Sequence, residues 1–544
     1  MSRLAAAVLA VFAAAPAWPE VVRIHDLSSA ELGTLRAEYD FWGVDWRAGY
    51  AVFDLDPAAR ARLETAGFRV ETDRPRQREL ERWNAIDRSG FRRGDPGTIP
   101  GFPCYRTVTQ THADLEALAI QYPDRAQWVD IGDSWQATNG SAPGSSIFAL
   151  LIGNENSPHP RAPLVLMAAQ HARELATAEI ATRLGEQLLE KPSDDPDIEW
   201  LLDHREIHVI AQQNPDGRRQ VEAGESFWRK NHNETACPTG TIGVDLNRNS
   251  THFWGNFSSS SSCFETYRGP VVASEPETQA VQTYLLDVFA DQRPGDQTSP
   301  APPDTEGLFI SLHSWGELVL LPWEGLGGED ENNAPNHDAL TVLGRRMAWH
   351  GDYEVSRWYS LGPAGGTMVD FAYYESGVAA YTFEVGTAFG ELCTDFETTV
   401  WPENRDALLL AAKAARRPYR EPAGPSITSL GVSLDNGVVR LVGTADDTRY
   451  FRGNSTEPPA ADPIADVVTV RVASGAPAET GAPSWEFTLP VPSPVVDFDL
   501  ALPAGAPLAP NGRLFVTAID ADGRIGLPRV ARVLPLLFSD GFES

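Results

Sequence analysis

Four short apolar runs constrain this chain most: PLVLMAA (163–169), EIHVIAQ (206–212), GLFISLHS (307–314) and AAYTFEVG (379–386). Near-continuous hydrophobic runs of this length suit strands buried on both faces of a largely parallel sheet. Between them lie amphipathic segments, LATAEIATRLGEQLLE (175–190) and PETQAVQTYLLDVFAD (276–291), read as helices with acceptable caps. Strand, loop and helix recur in this way over residues 100–420, which predicts one large α/β domain with helices on both faces. Ligands of such domains lie at the carboxyl ends of the strands.

The flanks differ. Residues 18–72 alternate strand-like VVRIHDL, YAVFDL and FRVET with helix-like SAELGTLRAEY and PAARARLETAG, a small α/β unit of βαβ character. Residues 73–99 are highly charged: the first half reads as a solvated helix, the second as an exposed linker in which Arg92-Arg93 is an accessible cleavage point. After residues 416–426 the helical pattern vanishes. ITSLGVSL, GVVRLVGTA, DVVTVRVAS, SWEFTLPV and RLFVTAIDA, separated by Pro, Gly, Asn and Asp, predict a β-sandwich over 424–544. Ser258 to Ser262 reads as a flexible loop, and LFSDGFES as an acidic tail.

The first 17 residues carry Arg3, an apolar stretch and a small-x-small Ala15-Pro-Ala17, the pattern of a cleaved signal peptide. A secreted protein, extracellular or periplasmic, with no transmembrane segment is expected. The formal net charge of -31 argues against nucleic-acid binding, for which basic patches supply the affinity. Four cysteines, Cys104, Cys237, Cys263 and Cys393, form an even count with no Cys-x-x-Cys pair, which suits disulfides rather than a zinc ribbon.

Candidate chemistry begins at QHARELATAE (170–179), directly after the first apolar run. His171-x-x-Glu174 alone is a weak signal, more often the polar start of a helix than a metal site. Further pieces follow in order. QNPDGRR places Asn214 to Asp216 in a tight turn, FWRKN places Arg229 in a polar loop, and GVDLNRN brings Asp245, Asn247 and Arg248 together. His313 ends a strand where it can meet His171 and Glu174, and Glu384 sits in an otherwise apolar strand. A carboxylate so placed is either a stray edge residue or one with an adjusted pKa, and the second is what a general base needs. Two histidines and a glutamate complete a three-ligand catalytic zinc site with its fourth position left to water. By contrast, His204 and His208 in a strand-like stretch and His232 in a loop read as structural.

The order and wording of these motifs resemble the zinc carboxypeptidases of the carboxypeptidase A/B family. The resemblance implies one Zn2+ per chain, bound by His171, Glu174 and His313, with Glu384 activating water. It implies that Arg229 stabilises the oxyanion, that Asn247 and Arg248 grip the substrate's terminal carboxylate, and that Arg173 holds the peptide further back. Asp245 orients His171. Cys237 and Cys263 are expected to form a disulfide; pairing of Cys104 with Cys393 stays open. Val369 falls at the family's specificity position, and an apolar residue there favours hydrophobic or aromatic C-terminal residues. The family's mobile tyrosine has no direct counterpart, since its position falls on Gly362; either Tyr359 fills the role through a shifted loop or the role is absent. The small N-terminal unit resembles the family's inhibitory pro-segment, released by an activating protease. Peptide C-termini are the implied substrate, and a monomer is expected. The alternatives are a zinc amidohydrolase acting on glutamyl or cell-wall peptides, and an inactive peptidase-like binding protein.

Overall fold

The computed structural model describes residues 20–45, 49–84, 97–140, 143–191, 195–225, 227–235, 237, 242–326, 333–357, 362–451 and 462–533. The expected signal peptide, Arg92-Arg93, Tyr359 and the acidic tail lie outside these residues.

The N-terminal unit runs β1 (Glu20–His25), α1 (Ser29–Glu38), β2 (Asp40–Asp45), β3 (Tyr50–Leu55), α2 (Pro57–Thr65), β4 (Arg69–Thr72) and α3 (Arg74–Asn84). Its sheet order is β2-β3-β1-β4, with antiparallel pairs throughout. The expected βαβ character is therefore corrected to two interleaved, split units: each helix-linked pair of strands is parallel, but a third strand lies between them. Strand β2 escaped the sequence pattern because a register shift between Phe41 and Gly43 breaks its alternation. Ser28 caps α1 in a reciprocal capping box with Glu31, and Asp56 caps α2.

A short hairpin, β5 (Thr98–Ile99) and β6 (Phe102–Arg106), leads into the central domain. That domain contains β7 (Ala126–Asp133), β8 (Ser146–Ile152), β9 (Ala162–Met167), β10 (Arg205–Ile210), β11 (Leu308–His313), β12 (Leu318–Leu320), β13 (Glu354–Ser356) and β14 (Ala379–Glu384). Its helices are α4 (Val108–Gln121), α5 (Trp135–Asn139), α6 (Leu175–Glu190), α7 (Pro196–His204), α8 (Pro215–Ala223), α9 (Pro276–Val288), α10 (His337–Ala348), α11 (Met368–Ser376), α12 (Cys393–Asp395) and α13 (Trp401–Ala414). The eight strands form one sheet in the order β13-β12-β14-β11-β9-β10-β8-β7. The centre, β14-β11-β9-β10, is parallel, and the antiparallel pairs β12–β14, β8–β10 and β7–β8 lie outside it. The four apolar runs of the sequence are these four central strands, so the α/β expectation holds.

Some local expectations need correction. Asn214 to Asp216 do not form a tight turn: Asn214 caps α8, accepting from the Gly217 N–H at 3.0 Å. His204 ends helix α7 rather than lying in a strand, and its ring stacks on His159. Neither α6 nor α9 has a side-chain cap; their N-cap residues are Glu174 and Glu275, whose carboxylates are engaged elsewhere. Cys104 is bonded to Cys393 and Cys237 to Cys263.

Among the described residues, the C-terminal β-region holds seven strands, β15 (Ser426–Asp435), β16 (Val438–Asp446), β17 (Val467–Ser474), β18 (Ser484–Ser493), β19 (Val495–Ala501), β20 (Arg513–Asp520) and β21 (Arg529–Arg532). They form sheets β15-β16-β19 and β18-β17-β20-β21 around a core that includes Leu441, Val470, Leu489 and Val516. The sandwich is fastened to the central domain. Phe515 and Val530 join the central hydrophobic core, and Arg513 bonds Asp203 at 2.6 Å and Glu199 at 2.9 Å.

Candidate metal centre

The parallel centre of the sheet delivers the chemistry to one place. β11 pairs with β14 so that His313 lies directly opposite Glu384. β9, on the other side of β11, ends at Met167 and turns through Ala169, whose φ of 55° is unusual for a residue with a side chain. That turn carries His171 back over the strand ends, and α6 begins one residue after Glu174. The Ala172 N–H donates to the Arg229 carbonyl, and Asn214 donates to the carbonyls of Gln170 and Lys230, fixing this loop.

His171 Nδ1 lies 2.7 Å from Glu174 Oε1 and 3.1 Å from His313 Nδ1; His313 Nδ1 lies 3.1 Å from Glu174 Oε2. All three residues are buried, and one ligand atom of each falls within 4.8 Å of the others. The other nitrogen of His171, Nε2, is 3.0 Å from Asp245 Oδ1. Because the carboxylate accepts there, Nε2 carries the proton and Nδ1 presents a lone pair toward Glu174 and His313. Acceptors so turned toward one another are satisfied by a cation, and two imidazoles with one carboxylate are a zinc donor set. Burial pushes His171 toward its neutral, ligating form, and the Arg229 charge acts in the same direction. Burial would raise the Glu174 carboxyl, but His171 and His313 more than reverse it and keep it ionised.

Asp245 is the hub beneath the site. Besides His171 it accepts from Arg229 Nη2 at 2.9 Å and from the Asn247 N–H at 3.0 Å, and Arg248 Nη1 lies 4.0 Å away. Burial opposes its ionisation, yet Arg229, Arg248 and His171 hold it well below the usual carboxylate range. Arg248 is further set by Gly366, where an added Cβ would meet the Arg248 carbonyl at 2.4 Å; Gly366 has φ +82°, so only glycine suits both demands. Glu384 has the opposite environment to Asp245. Burial, reinforced by Glu174, drives its carboxyl well above the ordinary value.

His171, Glu174 and Glu384 line one cavity with Arg173, Arg229, Asn247 and Arg248. Three residues of the N-terminal unit, Arg36, Phe41 and Trp42, line it too. Trp42 stacks on Phe227 with ring centroids 5.6 Å apart. Asp40 receives Arg173 Nη1 at 2.9 Å and Nη2 at 3.4 Å, while the same guanidinium lies over Phe389. The sequence reading had no place for Asp40, Arg36 or Trp42. It also passed over Arg218, a buried guanidinium that donates to the Glu174 carbonyl, and Glu324, a buried acid in the cavity wall. A charged residue in the apolar LLPWEG was the available signal for Glu324. Val369 is buried in α11 and does not line the cavity. His232 bonds Gln136 and His208 bonds Tyr284, so both are structural as expected.

A mixed α/β sheet with two histidines and a glutamate converging at its central strand ends, faced by the half-buried acid Glu384, defines a metallohydrolase. The chain belongs to the zinc carboxypeptidase family, whose sequence model (Peptidase_M14) matches residues 111–403. Among similar proteins, carboxypeptidase A1 of Bos taurus is 24% identical over 388 residues, covering 67% of this chain and 85% of that protein. Carboxypeptidase B of Astacus astacus is 27% identical, covering 52% and 86%, and zinc carboxypeptidase A 1 of Anopheles gambiae is 28% identical, covering 52% and 60%. Carboxypeptidase A from Helicoverpa armigera shares the fold at TM-score 0.56 and 22% identity, over 73% of this chain and 97% of that one. Thrombin activatable fibrinolysis inhibitor does so at TM-score 0.55 and 18% identity, covering 73% and 98%. Among the described residues, no helix is long and apolar enough to cross a membrane.

Proposed function

We propose that this protein is a secreted precursor of a zinc carboxypeptidase that removes single residues from peptide C-termini. The observation that carries the reading is the convergence of His171, Glu174 and His313 with Glu384 placed opposite His313, in a cavity that also holds Asn247 and Arg248. His171, Glu174 and His313 would hold zinc, which supplies Lewis acidity to a carbonyl and makes water a stronger acid.

The protein's own groups do the rest. Arg248 and Asn247 take the substrate's terminal carboxylate, which places the last peptide bond over the metal ligands. Arg229, clamped by Asp245, presents a fixed positive charge to the oxygen that becomes negative as the C–O bond forms. Glu384, raised by burial, accepts a proton from water and returns it to the amine nitrogen as the C–N bond breaks. Two groups for one free carboxylate favour a carboxypeptidase over an amidohydrolase of blocked peptides. No side-chain preference is taken from Val369, which is buried in α11.

Residues 18–99 act in this reading as a pro-segment and linker, 100–420 as the catalytic domain and 424–544 as an accessory sandwich. The support for a pro-segment is that it fills the cavity: Asp40 occupies Arg173, and Trp42 occupies the space against Phe227 and Phe389. Arg36 makes this closure imperfect. Burial beside Arg248 and Arg229 pushes its guanidinium down to about 9, so the cavity receives a cation where it is built for an anion.

The test is digestion of a peptide library by the full-length chain, before and after limited proteolysis near Arg92-Arg93, read by mass spectrometry. Loss of single C-terminal residues that increases after nicking is expected. Internal cleavage, or no cleavage by zinc-loaded protein, refutes the proposal.

A further inference from the structure

We propose that the unprocessed chain binds a small oxyanion, a carboxylate or phosphate, between Arg36 of the N-terminal unit and Arg248 of the central domain, and that this anion locks the cavity closed. This rests on reading the N-terminal unit as a pro-segment and adds the ligand that controls its release. Arg36 stands in the last turn of α1, is 7% exposed, and lines the cavity together with Arg229 and Arg248. Its guanidinium lies 4.6 Å over the Phe41 ring. Among the described residues no carboxylate pairs with it, and its Nε has no hydrogen-bond partner. A buried charge is ordinarily paired, and one aromatic face replaces only part of what a counter-ion supplies.

The room for Arg36 is built into the loop opposite. An added Cβ at Gly362 would collide with the Arg36 guanidinium, and Gly362 has φ +71°, so this close approach requires glycine. Three guanidiniums then converge, unequally compensated. Arg229 is held by Asp245 at 2.9 Å, whereas Arg248 stands 4.0 Å from the same carboxylate and keeps an unpartnered Nε. Glu174, Glu324 and Glu384 line the cavity too. Glu174 is engaged by His171 and His313, and the charges of Glu324 and Glu384 reach Arg248 rather than Arg36. What acts on Arg36 is burial, then Arg248 and Arg229, and all three oppose its charge. An oxyanion between Arg36 and Arg248 supplies the missing charge and accepts N–H donors from both, which flat guanidinium forks suit better than a spherical halide. The space left is about 90 Å³, room for a few waters or one such anion. Because half of the site belongs to the N-terminal unit, an anion bound there stabilises the closed chain over the open one.

The test uses the intact, zinc-loaded chain in Tris chloride at fixed ionic strength, with sodium acetate and sodium phosphate titrated separately by isothermal calorimetry. The parent should bind at least one of them with Kd of about 1–10 mM, as two charge-assisted contacts imply. In Arg36→Leu, which keeps an apolar stem over Phe41, that Kd should rise at least about tenfold. Arg36→Lys, which keeps the charge but not the fork, should fall between. Without oxyanion, Arg36→Leu should melt no lower than the parent, because it removes an unpaired buried charge; with saturating anion the parent should melt higher. Basal peptide hydrolysis by the intact parent should fall with the same midpoint as binding. Equal affinity in parent and Arg36→Leu overturns the inference, since the anion then sits at the metal or the substrate-carboxylate groups alone; so does no binding of either anion. Failure of nicked protein to release any C-terminal residue overturns the carboxypeptidase reading, while an Arg36-dependent anion site stands.

Discussion

Replacing Asp40 with Asn should weaken the hold of the N-terminal unit on the cavity. Arg173 is 1% exposed, and Asp40 meets it through both carboxylate oxygens and also accepts from the Trp42 indole at 3.1 Å. Asparagine keeps the shape and one acceptor but removes the charge. Breaking a fully buried ion pair by losing one partner costs about 3–5 kcal/mol. Asp40 is one-fifth exposed, and the face of Phe389 still holds the guanidinium 4.2 Å away, so about 2 kcal/mol is the appropriate figure here. Part of the loss is returned at Asp54, whose carboxyl is pushed up to about 7 by burial and then by Asp40. A 2 kcal/mol shift raises the open fraction about 30-fold. The assay is peptide hydrolysis by the intact, unprocessed chain, with nicking of the 73–99 linker followed on gels. Basal activity of Asp40→Asn should rise about 30-fold toward that of nicked protein, whose own rate should not change. A rise under twofold refutes the claim that this ion pair keeps the site closed.

Glu384→Gln should lower kcat by at least about 10³-fold while zinc content by metal analysis stays that of the parent; parent-like turnover removes Glu384 from the role of base. Arg248→Ala should cost free-acid peptides about 10²-fold or more in kcat/KM and amidated ones far less; equal losses would favour the amidohydrolase alternative. The third concerns pH. Burial would raise Asp203, but Asn154 and Arg513 hold it on balance below its ordinary value. A depressed carboxyl stabilises the fold above its unfolded pKa, about 3.9, and the contribution is lost as pH falls through the lower folded value. The melting-temperature difference between parent and Asp203→Asn should therefore be largest above pH 5 and shrink below about pH 4. A difference that stays constant from pH 3 to 7 would exclude this linkage.

The central domain was legible because its information is local. Each central strand is an apolar run too short for a helix, and the chemistry-bearing residues stand at or just after the ends of those runs, as His171, His313 and Glu384 do. In a parallel sheet all such ends point one way, so order along the chain is enough to gather them. The N-terminal unit was legible as helices and strands but not as a sheet, since pairing depends on which strand slips between two others. The sandwich yielded five of its seven strands; β19 follows β18 with one residue between, and β21 is four residues long.

Side-chain direction was not local. Val369 and Glu324 illustrate it: the phase of α11 turns Val369 into the core, and Asp370, bonded to two backbone N–H groups, fixes the segment that brings Glu324 to the cavity wall. Asp245 was read as a support for His171 alone, whereas the folded chain makes it bind Arg229 and the Asn247 backbone as well. What the sequence by itself determined was the sheet and the family, because strand periodicity and strand ends are one-dimensional properties. Tertiary structure alone decided which acids line the cavity and that Asp40, 133 positions from Arg173, meets it there, because both depend on surfaces meeting across long stretches of chain.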